Sequence, residues 1–130
     1  MNNKLTSKEL IDIGIRKVWK VGDQWYIKRI YKNKNGDLVA KNKREISITR
    51  PNGSVVKVFN LKVDGHTKMY QVTRVIYVWF KDNIPEGYKV AFLDGDSANI
   101  EPYNLYLRKE GEGDGFAKGT RPTRKGGQTN

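Results

Sequence analysis

The sequence predicts an α+β fold in which antiparallel β-hairpins dominate the N-terminal part. Segments 18–21, 25–31, 38–40, 45–49 and 55–63 are rich in β-branched and aromatic residues, which favour strands. Asn35-Gly36 and Asp64-Gly65 separate neighbouring strand segments, and these pairs tolerate the positive φ that tight hairpins require. The first half of the chain is therefore expected to fold as consecutive hairpins.

Two helices are predicted among these strands. Thr6-Ser7-Lys8-Glu9 is typical of a capping box, so a short helix is expected over residues 7–13, ended by Gly14. A second helix is expected over Arg74–Lys81, where Val75, Ile76, Trp79 and Phe80 share one apolar face. Residues 88–92 and 105–108 follow as a further strand pair around a long loop.

Composition limits the chemistry that the chain can support. It has 130 residues, no cysteine and one histidine, His66, so a disulfide framework and a multi-histidine zinc site are excluded. No apolar run approaches the roughly 18 residues of a membrane helix, and no signal-peptide core is evident. We expect a protein without a membrane partner that resides in the cytoplasm, or in the host cytoplasm if it is phage-encoded.

The distribution of charge favours a polyanionic partner. Residues 1–80 carry 17 basic and 6 acidic side chains, a net charge of +11, whereas residues 81–107 carry −3 and residues 108–130 carry +3. A positive field of this size is typical of nucleic-acid-binding proteins. The alternative is a surface that only keeps the protein soluble.

The hairpin around Asn35-Gly36 concentrates this positive charge. Trp25, Tyr26 and Tyr31 alternate with the basic residues, and such aromatics either stack on bases or pack in the core. The predicted phosphate contacts on this hairpin are Lys28, Arg29, Lys32, Lys34, Lys41, Lys43 and Arg44.

An ordered set of motifs follows between residues 70 and 105. It runs Tyr70-Gln71-Val72-Thr73-Arg74, then Ile84-Pro85-Glu86-Gly87-Tyr88, then Asp94-Gly95-Asp96, and ends with Asn104-Leu105. In order and spacing, this pattern resembles the HNH (ββα-metal) endonucleases, most closely their small phage and homing-endonuclease type, over residues 50–107. The resemblance implies a helix plus β-hairpin that acts on DNA, with Asn104 holding the loop in shape.

The residues that perform the chemistry in that family are replaced here. The position of the general-base histidine, two before Asp94, is Phe92, and the histidine of the upstream motif is Thr73. Phe can neither take up a proton nor bind a metal, and a positioned base is worth about 10²–10⁴ in rate. The region of the family's last metal ligand, residues 110–115, contains three glycines, which disfavour a helix.

Oxygen ligands for a hard cation nevertheless remain in the loop. Asp94, Asp96 and Asn104 are the candidate ligands, and their chemistry suits Mg²⁺. The favoured interpretation requires no cofactor, because Asp, Gly and Asn are also the residues of an ordinary tight turn. Arg74 is a candidate phosphate contact, with ion pairing to Asp94 or Asp96 as the alternative.

The sequence divides into three regions: a basic β-rich region over 1–49, the HNH-like region over 50–108, and a Gly-rich basic tail over 109–130. The tail has too few apolar residues to fold alone. Arg121, Arg124 and Lys125 are its candidate nucleic-acid contacts, and residues 109–130 are also a candidate arm for a protein partner.

Three functions are compatible with these features. The favoured one is nucleic-acid binding, with DNA preferred over RNA, on a catalytically degenerate HNH scaffold. The second is an active metal-dependent HNH endonuclease with non-standard ligands. The third is a phage structural or regulatory protein that docks on a partner through its basic arm.

Overall fold

A computed structural model describes residues 4–109 and confirms the α+β class. Within that range, eight strands form three antiparallel sheets, with strand orders β1-β2-β3, β4-β5-β6 and β7-β8. The predicted contacts Arg121, Arg124 and Lys125 lie outside the described residues, as does all but the first residue of the predicted arm. The chain divides into two compact units, one of residues 7–75 and one whose described residues are 4–6 and 76–109.

The unit of residues 7–75 contains one short helix, six strands and the start of a second helix, close to the predicted segments. The turns between β2 and β3 and between β5 and β6 fall where Asn35-Gly36 and Asp64-Gly65 predict them. The elements are α1 (Ser7–Asp12), β1 (Ile15–Val21), β2 (Gln24–Lys32), β3 (Leu38–Arg44), β4 (Ile46–Thr49), β5 (Val55–Val63) and β6 (His66–Gln71).

The turn between β2 and β3 is fixed by Asn33. Its side-chain oxygen accepts hydrogen bonds from the backbone N–H of Asn35 at 2.9 Å and of Asp37 at 3.0 Å. This Asx turn sets the pairing of Arg29 with Lys41 and of Tyr31 with Val39. The predicted hairpin is therefore confirmed, and the structure adds its register.

Polar contacts join the elements of this unit around an apolar core. Glu45 is buried, accepts a hydrogen bond from the backbone N–H of Trp25 at 2.8 Å, and pairs with Lys57 of β5 at 3.3 Å. The Tyr70 hydroxyl donates to the carboxylate of Glu9 at 3.0 Å, which ties β6 to α1. The core itself includes Leu10, Ile15, Val18, Trp25, Ile27, Val58, Phe59 and Leu61.

The second helix, α2 (Val72–Phe80), begins two residues before the predicted start at Arg74. Val72, Val75 and Ile76 are fully buried, whereas Phe80, expected on the apolar face, is exposed, so the buried face lies further toward the N-terminus than the pattern from Arg74 indicated. Residues 72–75 belong to the first unit and residues 76–80 to the second. None of the helices within residues 4–109 is long and apolar enough to cross a bilayer.

The second unit is built on a strand pair. β7 (Tyr88–Phe92) pairs with β8 (Leu105–Lys109), and a 3₁₀ turn over Pro102–Asn104 precedes β8. Leu5 bridges Ile84 through two backbone hydrogen bonds of 3.0 and 2.8 Å. The ammonium of Lys81 donates to the carbonyl of Leu105 at 2.8 Å, which holds the end of α2 against the start of β8.

Gly14 makes the connection from α1 to β1 possible. Its φ is +101°, and its carbonyl accepts a hydrogen bond from the backbone N–H of Ile30 at 2.8 Å. A Cβ at this position would collide with the carbonyl oxygen of Ile30, which is rigid backbone. Only glycine permits this approach of the chain to β2.

Gly14→Ala should lower the free energy of unfolding by at least about 3 kcal/mol, because strained φ costs about 1–3 kcal/mol and the collision adds to it. Denaturant unfolding measures the loss. Gly36→Ala is the matched control, since Gly36 also has positive φ, at +86°, but a Cβ there meets nothing within 4 Å. Equal losses in the two variants would contradict the role of the close approach.

Candidate nucleic-acid interface and acidic loop

The sheet β1-β2-β3 separates the predicted basic residues onto two faces. Successive side chains of a strand point to opposite faces, and directly opposite residues of paired strands share a face. We call the face that carries Trp19, Tyr26 and Lys28 the outer face, and the face that carries Ile27, Arg29 and Tyr31 the inner face. The predicted basic residues of the hairpin thus form two distinct groups.

Two stacked aromatic rings lie at the centre of the outer face. Trp19 of β1 is directly opposite Tyr26 of β2, and their ring centroids are 5.7 Å apart with an interplanar angle of 14°. Both residues are half-buried, so part of each ring remains open to solvent. Arg44 of β3 is directly opposite Tyr26 and continues this row across the sheet.

A row of polar and charged residues runs beside the aromatic row. Lys17 of β1 is directly opposite Lys28 of β2, and Lys28 is directly opposite Asn42 of β3. The ammonium of Lys17 lies 5.3 Å from the ring centroid of Trp19, within the range of a cation–π contact. Like charges directly opposite each other destabilise a sheet, so this pair opposes folding and raises the positive potential of the face.

The inner face holds the other predicted cations. Arg29 is buried, with 7% of its surface exposed, and its Nε and Nη1 donate to the carbonyls of Ile13 at 2.6 Å and Lys62 at 2.8 Å. Lys41 is directly opposite Arg29, and Lys43 is directly opposite Ile27. Lys32, the last residue of β2, is directly opposite Leu38 and shares the outer face with Lys28, whereas Lys34 is exposed in the turn after β2.

The aromatic residues of the hairpin divide in the same way. Trp25 is buried in the core, with the ammonium of Lys20 5.9 Å from its ring centroid. Tyr31 is half-buried on the inner face, and Tyr26 is half-buried on the outer face. Of the three predicted aromatics, Tyr26 therefore has the open position and the stacked neighbour that suit contact with a base.

The acidic loop between β7 and β8 is organised by Asn104, whose surface is 2% exposed. Its amide nitrogen donates to Asp94 Oδ1 at 3.0 Å and to the carbonyl of Asn99 at 2.9 Å. Its Oδ1 accepts a hydrogen bond from the backbone N–H of Asp94 at 3.1 Å. Asn104 thereby joins both ends and the middle of the loop.

The candidate metal ligands use their oxygens within this loop. The amide of Asn99, the backbone N–H of Asp96 and the amide of Asn104 together hold the pKa of the Asp94 carboxyl below its ordinary value. Asp96 Oδ1 accepts a hydrogen bond from the backbone N–H of Ala98 at 2.9 Å. In residues 4–109 no group of three or more His, Cys, Asp or Glu could hold a metal ion, so Mg²⁺ binding by Asp94, Asp96 and Asn104 stays a prediction.

Two further predicted positions are Phe92, in the second unit, and Arg74, in the first. Phe92, at the position of the family's base, is half-buried on β7 and directly opposite the fully buried Leu105. Arg74 lies half-buried on the first turn of α2.

Comparisons with known proteins add no relative. No protein-family model, curated protein or solved structure matches the chain significantly.

Three residues of these faces were missed by sequence reasoning. Lys17 and Trp19 share a face because they are two apart on a strand, and the spacing Lys-x-Trp beside a predicted strand was a usable signal. Lys62 of β5 lies beside the inner face, where its carbonyl accepts a hydrogen bond from Arg29. No local pattern in the sequence indicates this contact.

Asn104→Ala should lower the free energy of unfolding by about 1–3 kcal/mol, because it removes the three hydrogen bonds that this buried amide makes to Asp94 and Asn99. The pKa of Asp94 should rise toward its ordinary value, since the carboxylate then has one donor fewer. Denaturant unfolding and a carboxyl-carbon NMR titration measure the two effects. Ser97→Ala, an exposed change in the same loop, is the control, and a similar destabilisation there would contradict the role of Asn104.

Proposed function

We propose that the chain is a nucleic-acid-binding protein on a catalytically degenerate HNH endonuclease scaffold, with DNA as the preferred ligand. The observation that carries the proposal is the outer face, where the stacked rings of Trp19 and Tyr26 are flanked by Lys17, Lys28 and Arg44. Proteins that hold nucleic-acid strands combine aromatic platforms with cationic rows of this kind.

Each row of the outer face suits one part of a nucleic acid. The open parts of the Trp19 and Tyr26 rings offer a surface on which a base stacks, a contact worth about 1–3 kcal/mol per base. Lys17 and Lys28 provide two adjacent cations for phosphates, and a bound phosphate relieves their mutual repulsion. Lys17 lies on the edge strand β1 and Lys28 on the central strand β2, and such a contact would offset the cost of placing the two charges opposite each other.

The order of elements after residue 70 supports the choice of scaffold. A helix, α2, is followed along the chain by the β7–loop–β8 hairpin, and Asn104 holds the loop as the resemblance implies. Phe92 at the position of the base favours binding without cleavage, because its ring accepts no proton. DNA is preferred since it is the substrate of the family that the motifs resemble.

Binding to a DNA oligonucleotide, followed by fluorescence anisotropy, should weaken steeply with salt. Lys17→Gln combined with Lys28→Gln should reduce the slope of log K against log salt by about 2, because each lysine that neutralises a phosphate contributes about 1 to the slope. Lys8→Gln combined with Lys89→Gln removes the same charge from exposed positions outside both faces and should leave the slope unchanged.

Affinity that stays flat between low and moderate salt would contradict the proposal. An equal change of slope in both double variants would show that the effect is one of net charge and not of the outer face.

Incubation with supercoiled plasmid and Mg²⁺ or Mn²⁺ should leave the DNA intact, since no general base stands at residue 92. Asp94→Ala should behave like the parent. If the parent nicks the plasmid and Asp94→Ala abolishes the nicking, the result would favour an active endonuclease with Asp94, Asp96 and Asn104 as metal ligands. Metal-dependent nicking gained by Phe92→His would identify an HNH scaffold that lacks only its base.

A further inference from the structure

A small groove opens on the inner face of the sheet, where β2 and β3 meet β5. Its volume is about 160 Å³, and it is lined by Arg29, Tyr31, Lys41, Lys43, Leu61 and Lys62. Four of these six residues carry positive charge and none carries negative charge. Pockets for drug-sized ligands measure about 300–1,000 Å³, so this groove suits a small anionic group better than a whole nucleotide.

Arg29 gives the groove a fixed cationic wall. Two backbone carbonyls, of Ile13 and Lys62, hold its Nε and Nη1, and its guanidinium carbon lies 4.5 Å from the ring centroid of Tyr31. These contacts keep the guanidinium in one orientation and do not use Nη2. A planar, pre-oriented guanidinium is the group best suited to a phosphate or carboxylate oxygen.

The charge of Arg29 is only partly compensated by these contacts. Burying a cation is costly unless it is paired, and carbonyl dipoles carry no full negative charge. Within residues 4–109, Arg29, Lys41, Lys43 and Lys62 form no ion pair with a carboxylate. The cations instead repel one another across a small cavity, and an anion in that cavity would neutralise the repulsion.

We propose that this groove is a phosphate-binding pocket, distinct from the outer face. Nη2 of Arg29 is the fixed donor, and the ammonium groups of Lys41 and Lys43 close around the remaining oxygens. Lys41 is exposed and Lys43 is half-buried, so both can adjust to the anion. Use of the pocket for a phosphate of a nucleic acid rests on the proposed function, whereas capture of free phosphate does not.

Titration with inorganic pyrophosphate at constant ionic strength, followed by calorimetry, tests the pocket without any oligonucleotide. The parent should bind one equivalent saturably. Lys41→Gln combined with Lys43→Gln should weaken binding about tenfold or more, because the variant lacks two donors of charge-assisted hydrogen bonds. These positions are chosen because Arg29 is tied to the backbone at two points, and its replacement risks unfolding the chain.

Lys8→Gln combined with Lys89→Gln is the charge-matched control and should bind pyrophosphate as the parent does. Absence of saturable binding by the parent, or equal weakening in the two double variants, would overturn the pocket. A circular-dichroism melt of each variant verifies that it is folded.

Two oligonucleotides of one sequence, with and without a 5′-phosphate, separate the sources of the phosphate. If the phosphorylated strand binds more tightly, and this difference disappears in the Lys41/Lys43 variant, the pocket takes the terminal phosphate. If the two strands bind equally well and the Lys41/Lys43 variant weakens the binding of both, the pocket takes a phosphate of the backbone. Pyrophosphate binding without any oligonucleotide binding would overturn the proposed function and leave the pocket intact.

Discussion

The buried guanidinium of Arg29 is the contact on which the arrangement of residues 7–75 depends. It joins the residue after α1 to β5 through the carbonyls of Ile13 and Lys62, and it does so from the middle of β2. A charge in this position is costly unless its donors are satisfied, so the two carbonyls and the ring of Tyr31 fix where β2 lies. Arg29 shares its face of β2 with the buried side chains of Trp25 and Ile27, and together these three residues set which face of the strand points inward.

That alternation explains how one hairpin carries two kinds of basic surface. With Arg29 pointing inward, Lys28 and Tyr26 must point outward, and strand pairing brings Lys17 and Trp19 beside them. The outer face combines aromatic rings with exposed lysines, whereas the inner groove combines a fixed guanidinium with lysines. Charge repulsion within the outer face and within the inner groove opposes folding. A bound polyanion would reduce the repulsion at both surfaces, which links this cost in stability to the proposed function.

The hairpins were predictable from sequence because their signals are local. Asn35-Gly36 and Asp64-Gly65 placed two turns, and the predicted strand 55–63 has the bounds of β5. The predicted start of α2 was two residues late, because burial of Val72 is decided by tertiary packing. Lys62 beside Arg29 could not be foreseen, since the contact joins strands 33 positions apart in sequence. Trp19 became a partner of Tyr26 only once the register of β1 and β2 was known.

An NMR titration with a short DNA oligonucleotide, single-stranded and duplex, tests most directly whether this sheet is the binding surface. We predict saturable shifts of the ring resonances of Trp19 and Tyr26 and of the amides around Lys17 and Lys28, with a second set around Arg29 and Lys43. Shifts confined to residues 88–109, or no saturable shift at low salt, would contradict this assignment of the binding surface.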